Sequence, residues 1–548
     1  MRARDLFGER RQRTRRDTLR LAALRTTARE LATHQRRLEL GGALPFRFST
    51  QFADIAAAGG FSLVVGNPPW VRPHALPIAE RTRLRTEFQC MRTPAWKAGA
   101  ARAGAGAGFS AQADLSAAFV ERSGTLLADG GVIGLLVPAK LWRALAGGGI
   151  RQWLHDRTHI HAVHDYSHAP SLFDAAVYPS LLVAERRPMS ASSNELTPTA
   201  HRSEVCTTVS STKRPPTQIT ITSSTGTSTF PLGPHPLTLD GDPSAPWLLM
   251  PATARRSFER LRAAGPALGD SSLGRPSLGV KCGYNTAFLV NAEENDDDVA
   301  VIETDGHSGL IERHMLRPAL RGEFLRGASL PLRRTTITPR RQRTVNDTTP
   351  DTPTGARDLR IVWTHGPDGT PLRALPPLTA RWLAQWRGRL ESRRDARGRA
   401  PWWSLFRTDA ARSESPRVVW ADIGRQLRAS VLAAGDPTVP LNSCYLMRAP
   451  SMDDAFALEA LLASPIAAAW FEALAEPARG GFRRYMGWTV ATLPIPANWT
   501  VARVALAELG RQRAADTAGT RLEQTAIVAD AYGIPLRHLE PLLAWSHP

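Results

Sequence analysis

The sequence has little lysine, little cysteine and no long apolar run. Only four of its 69 basic residues are lysines, and only four cysteines occur in 548 residues. The cysteines form no C-x-x-C pair and have no histidine at zinc spacing, which argues against a disulfide framework or a zinc ribbon. No uncharged apolar stretch reaches the roughly 18 residues of a membrane span, and the first residues lack an apolar signal core. We therefore expect a cytoplasmic protein that does not enter a membrane.

Two catalytic signatures that depend on lysine are also missing. None of the lysines (Lys97, Lys140, Lys213, Lys281) follows a glycine and precedes Ser or Thr, so the sequence has no phosphate-binding P-loop. None has an acidic residue two positions before it, which argues against a nuclease domain of the Glu-x-Lys or Asp-x-Lys type. Five histidines (His155, His159, His161, His164, His168) lie close together, but without cysteines or clustered carboxylates we expect no metal site.

The sequence does contain a large excess of arginine. The formal net charge is +19, while the apolar fraction of 43% and the charged fraction of 22% are those of an ordinary globular protein. Guanidinium groups match phosphates and the edges of bases, so this charge favours nucleic-acid binding. A genome that favours alanine and arginine over lysine is the alternative explanation of the same bias.

The residue pattern divides the chain into four segments. Residues 1–41 form an Arg-rich helix, 42–187 an α/β segment, 188–245 a Ser/Thr/Pro-rich insert or linker with room for a hairpin, and 246–548 a second globular region. In the α/β segment, strand-like runs alternate with helical runs, which predicts βαβ units and a mostly parallel sheet. The predicted strands are Phe61–Gly66, Val132–Val137, Ile160–Tyr166 and Tyr178–Val183, and the predicted helices are Asp114–Asp129 and Leu141–Asp156.

Four residues at the end of the first strand carry the strongest chemical signal. Asn67, Pro68, Pro69 and Trp70 stand where open α/β sheets bind their ligands. The amide oxygen of Asn67 and the main-chain carbonyl of Pro68 can each accept one hydrogen of an exocyclic amino group, which builds up charge on its nitrogen. Proline fixes that carbonyl and offers no competing N–H. Trp70 can stack on a base swung out of a duplex. A Pro-Pro turn with a chance Asn and Trp is the alternative.

With this tetrad, the sequence resembles the adenine-specific (N6) DNA methyltransferases of bacterial restriction–modification and phage-defence systems. In that family the Asn-Pro-Pro-aromatic motif precedes a target-recognition domain. The resemblance covers roughly residues 42–187 and 250–500. Its further landmarks, in chain order, are Leu44–Phe46, Gly59–Phe61, Asp114–Leu115 with Phe119 and Glu121, Gly130–Gly134, Val137–Pro138, Phe173–Val177, Tyr178–Ser180, Gly283–Phe288, Leu316–Pro318, Arg321–Gly322, Leu461–Pro465, Phe482–Arg484 and Leu493–Pro496.

The resemblance implies a fold, a reaction and a set of site residues. The fold would be α/β, a partial Rossmann-like methyltransferase domain followed by an α+β target-recognition domain. The reaction would be methyl transfer from S-adenosylmethionine to a flipped adenine in double-stranded DNA, with Asn67, Pro68, Pro69 and Trp70 as catalytic residues. The DNA-binding residues implied by the recognition-domain landmarks are Asn285, Arg321, Arg483 and Arg484.

The cofactor site is where the sequence departs from this family. The family's Gly-rich loop and acidic cofactor ligands precede the tetrad, whereas the residues before Asn67 are mostly an Arg-rich helix. The acidic Asp54 does not stand where the third ligand is expected, and Gly104–Phe109 resembles the loop but follows no strand. We therefore expect the chain to correspond to the C-terminal portion of such an enzyme. Its cofactor half would be in another chain, upstream, or lost.

Two other functions fit the same residues. The chain could be a DNA-binding specificity fragment that is inactive because it lacks the cofactor site. It could also be a methyltransferase of protein glutamine, which uses a similar tetrad, although the basic second region favours DNA.

Overall fold

A computed structural model describes residues 15–41, 46, 48–72, 75–92, 96–102, 104, 113–169, 178–188, 215–294, 298–326, 359–393, 401–478 and 481–546. It contains two compact units, Met1–Ser62 and Leu63–Pro548. The first unit contains the helices α1 (Arg15–Glu39), α2 (Phe48–Gln51) and α3 (Ala53–Ala57). The Arg-rich helix expected from the sequence is therefore present from Arg15, and the rings of Phe48, Phe52 and Phe61 pack together after it.

A six-stranded sheet follows, which we call the tetrad sheet. The elements of this part of the chain are β1 (Phe61–Gly66), α4 (Ile78–Glu87), α5 (Gln89–Arg92), α6 (Lys97–Arg102), α7 (Leu115–Leu126), β2 (Leu127–Pro138), α8 (Lys140–Arg143), α9 (Gly148–Arg157), β3 (Thr158–His168), β4 (Pro179–Arg186), β5 (Gln218–Ser223) and β6 (Gly226–Pro231). The strands of the tetrad sheet lie in the order β1-β2-β4-β3-β5-β6.

The prediction of a mostly parallel sheet was wrong. Strand β4 runs antiparallel to both of its neighbours, β2 and β3, and β5 and β6 form an antiparallel hairpin. Only the short connection 169–178 separates β3 from β4, and a parallel return needs a crossover of about a dozen residues or more. The hairpin lies in the segment 188–245, and β5 pairs in parallel with β3.

The side chains of β2 alternate between the two faces of the sheet, and helices α7 and α9 cover one of these faces. Ile133, Leu135 and Val137 are fully or almost fully buried on one face, in the same apolar cluster as residues of α7 and α9. The cluster extends toward the rest of the chain through Trp142, whose indole stacks on that of Trp247 at 4.4 Å and 7°. The predicted strand Val132–Val137 is therefore present as part of the longer β2, and its side chains alternate between a buried and a half-buried face.

Both predicted helices of this segment are shorter than expected. The first comprises Leu115–Leu126 rather than Asp114–Asp129, because β2 begins at Leu127 and includes the residues that follow. The second is broken at Ala144, which is extended, into α8 and α9. The guanidinium of the fully buried Arg151 donates to the carbonyls of Leu141 and Ala144, at 2.6 and 2.9 Å, and so satisfies acceptors that a continuous helix would have used.

Residues 246–546, which we call the second region, combine helices with small sheets that are mainly antiparallel. The three sheets have the strand orders β10-β9-β8-β12-β11-β16, β15-β13-β17-β7 and β14-β19-β18. The helices are α10 (Ala252–Ala263), α11 (Asn285–Phe288), α12 (Pro377–Ala384), α13 (Arg387–Glu391), α14 (Met452–Leu462), α15 (Pro465–Leu474), α16 (Gly487–Ala491), α17 (Trp499–Ala514), α18 (Arg521–Ala531) and α19 (Glu540–Trp545). The strands are β7 (Ser277–Leu278), β8 (Leu289–Glu294), β9 (Val299–Thr304), β10 (His307–Glu312), β11 (Leu316–Leu320), β12 (Leu359–Val362), β13 (Arg417–Ala421), β14 (Ile423–Gly424), β15 (Ala429–Leu432), β16 (Val439–Pro440), β17 (Cys444–Arg448), β18 (Glu476–Ala478) and β19 (Phe482–Arg484).

Helices α14 and α15 form the centre of the second region. Most of their residues are buried, and the indole of Trp470 stacks on the ring of Phe258 at 4.1 Å. No helix of the described residues is long and apolar enough by itself to cross a membrane, and α14 and α15 meet the length and composition criteria only as a pair bent by 63°.

Candidate active site and nucleic-acid interface

The tetrad lies where β1 ends. Pro68 and Pro69 have no N–H to donate to a ladder, so the strand stops at Gly66. Asn67 and Pro69 are exposed, Pro68 is buried and Trp70 is half-buried. The polar amide is therefore open to a ligand, and the chain on either side of it is anchored.

Two hydrogen bonds hold the residues that follow the prolines. The indole N–H of Trp70 donates to the carbonyl of Leu136 on β2 at 3.4 Å. The carbonyl of Val71 accepts from the backbone N–H of Leu115, the first residue of α7, at 3.0 Å. The side chain of Val65 lies against Gly134 and that of Leu135 against Gly66, so β1 and β2 run in the same direction. Their carboxyl ends therefore meet at the tetrad.

An ion pair lies beside this loop. Asp114, 2% exposed, begins α7 by accepting from the N–H and the hydroxyl of Ser116, and its other oxygen is 2.8 Å from Nζ of Lys140. Asp114 is one of the landmarks of the family resemblance, whereas no role was predicted for Lys140. The sequence signal for Lys140 is its position two residues after the end of β2, the strand beside the tetrad.

The candidate DNA-binding residues differ in how exposed they are and in which side chains they contact. Asn285 is exposed at the start of α11, beside Tyr284, whose hydroxyl accepts from Arg389 at 3.0 Å. Arg321 is half-exposed, and its charge acts on Cys282 just before that turn. Burial nevertheless raises the pKa of the Cys282 thiol to about 12, so it stays protonated. Asn285 and Arg321 are thus both at least partly accessible on the second region.

Arg483 does not lie on an accessible surface, contrary to the expectation. It is 7% exposed, and its guanidinium donates to the carboxylate of Glu472 and, at 3.2 Å, to the carbonyl of Ala475. It also contacts His168 at the end of β3. Its role in this structure is to join the second region to the tetrad sheet.

Arg484, unlike Arg483, is partly accessible and paired with a carboxylate. Its guanidinium is half-exposed and pairs with Asp422 at 2.8 Å, which raises the pKa of Arg484 further. Two buried atoms of this pair, Nε of Arg484 and Oδ1 of Asp422, have no hydrogen-bond partner among the described residues. These two atoms face the protein interior, so the accessible part of Arg484 is the remainder of its guanidinium group.

Arginines and aromatic rings also meet on α13. Arg389 lies 5.5 Å from the ring centre of Tyr284, and Arg387 lies 5.6 Å from that of Trp402. Both arginines are exposed, whereas the tryptophans beside them in the sequence, Trp382 and Trp386, are buried in the core. We call Tyr284, Asn285, Arg387, Arg389 and Trp402 the α13 surface.

Several residues singled out in the sequence have no described position or no role in this site. Residues 44–45, 105–109 and 173–177, which belong to the quoted sequence landmarks and the Gly-rich segment, lie outside the described residues. The described part of the chain contains no group of three His, Cys, Asp or Glu side chains that could hold a metal ion. Two of the clustered histidines pair with carboxylates instead, His161 with Glu185 and His168 with Glu472.

Comparisons with known proteins agree with the class that this site suggests. A family model of the Eco57I restriction-modification methylase matches residues 14–173. Over 244 residues the chain is 24% identical to the type II methyltransferase M.PaeR7I of Pseudomonas aeruginosa, a match that covers 43% of this chain and 37% of that protein. These two similarities support a methyltransferase of the restriction–modification type.

A solved structure shares the fold. It is that of the type IIL restriction-modification enzyme MmeI in complex with DNA, with a TM-score of 0.52 and 11% sequence identity, and it covers 88% of this chain and 56% of that one. The chain thus spans little more than a third of the length of the curated relative and a little over half that of the solved structure.

Proposed function

We propose that the protein is the catalytic and recognition portion of a site-specific DNA methyltransferase that modifies the N6 amino group of adenine. The observation that carries this proposal is the placement of Asn67–Trp70. The tetrad lies at the joined carboxyl ends of two strands, with its amide exposed and its aromatic ring anchored. The similarity to restriction–modification methylases over residues 14–173 includes this loop and supports the same class.

Each tetrad residue has a chemical task in this proposal. The Asn67 amide oxygen and the Pro68 carbonyl accept the two hydrogens of the adenine amino group and draw its nitrogen out of conjugation with the ring. Pro69 keeps the loop stiff, and the half-buried Trp70 presents a flat surface on which a flipped base can stack. Flipping costs a few kcal/mol, so contacts between the second region and the duplex must offset it.

Double-stranded DNA is the proposed partner of the second region. Asn285, Arg321 and Arg484 retain accessible polar groups, and the α13 surface adds exposed guanidinium groups next to aromatic rings. Arginine contacts to phosphate supply affinity, whereas an amide can read the edge of adenine. Arg483 is not included, because its guanidinium is engaged inside the protein. We propose a cytoplasmic location, where such a substrate is found.

S-adenosylmethionine would supply the methyl group. The described residues do not by themselves fit this cofactor, because among them no strand leads into a Gly-rich loop with an acidic residue placed to bind the ribose. We propose that the remaining cofactor-binding residues come from another polypeptide segment or a separate chain. The apolar face of β1 supports this, since Leu63 and Val65 are 57% and 70% exposed on the outermost strand of the tetrad sheet.

The test measures methyl transfer from labelled S-adenosylmethionine to unmethylated DNA. It compares the chain alone with the chain co-expressed with the polypeptide encoded next to it, and isothermal titration follows cofactor binding in parallel. We expect Asn67→Ala to abolish transfer without weakening DNA binding, and Asn291→Ala, on the exposed side of β8, to change neither. Methylation that survives Asn67→Ala would remove Asn67 from the mechanism.

The second candidate function is an inactive DNA-binding specificity fragment. The observation that favours it is the incomplete fit of the described residues to S-adenosylmethionine. DNA binding with no methyl transfer under either condition would select this candidate.

A further inference from the structure

Lys140 occupies the point where the tetrad loop, the tetrad sheet and the second region meet. It is the first residue of α8, two positions after the end of β2, whose Leu136 carbonyl accepts the hydrogen bond of the Trp70 indole. Its ammonium is about one-third exposed and lies 2.8 Å from the almost fully buried carboxylate of Asp114. An ammonium in this position neutralises a charge that would otherwise be buried without a partner.

Asp114 connects Lys140 to the tetrad loop through hydrogen bonds at the start of α7. One of its oxygens accepts from the N–H of Ser116 at 3.1 Å and thereby fixes the first turn of α7. In that turn, the N–H of Leu115 donates to the carbonyl of Val71, the residue after Trp70. The location of the tetrad's last residues therefore depends on the turn that the ion pair holds.

On its other side, Lys140 meets the second region. Strand β18 packs on α8, and its half-buried Glu476 experiences the charges of Arg484 and Lys140. Burial raises the pKa of Glu476, and these two cations oppose the shift. Arg484 in turn pairs with Asp422 at 2.8 Å. Lys140 is thus ion-paired with Asp114 beside the tetrad loop, while the helix that it begins packs on β18 of the second region.

From this arrangement we propose that Lys140 is a positioning residue, which keeps the tetrad loop in register with the second region so that a base bound by one reaches the other. The proposal rests on the function proposed above. Lys140 acts through Asp114 and is not itself required to touch the substrate. A loop displaced by about 1 Å can cost a factor of about a hundred in a positioned reaction.

The test uses three variants and a duplex that needs no known recognition sequence. Lys140→Met removes the charge at similar length, Lys140→Arg retains it, and Lys97→Met is the matched control on the exposed side of α6. The duplex carries 2-aminopurine opposite an abasic site, because an unpaired base leaves the stack at the lowest cost. Fluorescence of 2-aminopurine reports flipping, and anisotropy of a labelled strand reports affinity.

We expect Lys140→Met to lose most of the fluorescence increase while its DNA affinity stays within about a factor of two, well below the tenfold that corresponds to 1.4 kcal/mol. Lys140→Arg should recover the increase and Lys97→Met should match the unchanged protein. An undiminished increase in Lys140→Met would overturn the proposal.

Hydrogen exchange in the free protein gives an independent readout. We expect the Leu115 amide to exchange about tenfold faster in Lys140→Met, and at the original rate in Lys140→Arg, because local opening follows the loss of the ion pair. If the unchanged protein produced no fluorescence increase, the proposed base flipping would fail. The exchange rates would then still decide whether Lys140 positions the loop, and equal rates in all variants would reject it.

Discussion

Arg483 and Arg484 are neighbours on β19, yet their side chains lie on opposite sides of the strand. Arg483 is 7% exposed and contacts Glu472 and His168, whereas the guanidinium of Arg484 is 41% exposed and pairs with Asp422. Because successive side chains of a strand face opposite ways, two identical residues in sequence acquire different roles.

Replacing each arginine with alanine should therefore have a different effect. We expect Arg483→Ala to lower the free energy of unfolding by about 3 kcal/mol, because it leaves Glu472 with a partly buried charge and no guanidinium partner. Arg484→Ala should cost less stability and weaken DNA binding. Urea unfolding and anisotropy with a labelled duplex separate the two effects. Equal losses of DNA affinity with unchanged stability would contradict the assignment of Arg483.

The contrast shows what could be predicted from the sequence here. The apolar run Phe61–Gly66 and the two prolines after it placed the tetrad at a strand end, and the structure has that strand with the predicted bounds, although most of its residues are exposed. These features are local, so sequence reasoning could reach them. The antiparallel β4 follows from a short connection, and Arg151 is held beside the break at Ala144 by the carbonyl of Ser244, 93 residues away along the chain, which no local pattern encodes.

Tertiary contacts also explain why the sequence could not show which arginines are accessible to DNA. A count of guanidinium groups predicts a basic surface, but Arg151 and Arg417 are fully buried and donate to backbone carbonyls. Whether an arginine faces DNA or the core is decided by tertiary neighbours. Lys140 was missed for a related reason, since its partner Asp114 lies on another segment of the chain.

The α13 surface leads to a prediction about salt. Arg389 is exposed beside Tyr284, so a phosphate contact there would release about one counterion when DNA binds. We expect Arg389→Ala to weaken binding and to reduce the slope of log K against log salt by about 0.9. Arg256→Ala, an exposed arginine on α10, is the control and should leave the slope unchanged. Identical slopes for both variants would exclude Arg389 from the interface.

Trp70 should act through its flat ring rather than through its indole nitrogen. Trp70→Phe loses the hydrogen bond to Leu136 but keeps an aromatic face, whereas Trp70→Ala loses both. Because stacking of a base on an aromatic ring is worth about 1–3 kcal/mol, we expect Trp70→Ala to lose most of the 2-aminopurine fluorescence increase and Trp70→Phe to keep a larger part. A larger loss in Trp70→Phe than in Trp70→Ala would show that the ring face is not what holds the base.

The buried Glu459 on α14 should make stability depend on pH. It is 8% exposed and lies 3.2 Å from Nε of Arg513, and burial raises its pKa from the ordinary 4.5 to about 7. A raised pKa means that the folded chain holds this proton up to a higher pH than the unfolded chain does. The associated stability is therefore complete below pH 4.5 and is lost as the pH rises toward 7, by about 3 kcal/mol.

Glu459→Gln removes this titration. We expect the free energy of unfolding of the variant, measured with urea at pH 5 and pH 8, to fall less with pH than that of the unchanged protein, so that the difference shifts in favour of the variant by about 3 kcal/mol at the higher pH. Glu508→Gln, exposed on α17, is the control and should follow the unchanged protein. If Glu459→Gln kept the full pH dependence, Arg513 would have to hold the Glu459 carboxylate ionised throughout, and the attraction between the two charges would outweigh the cost of burying them.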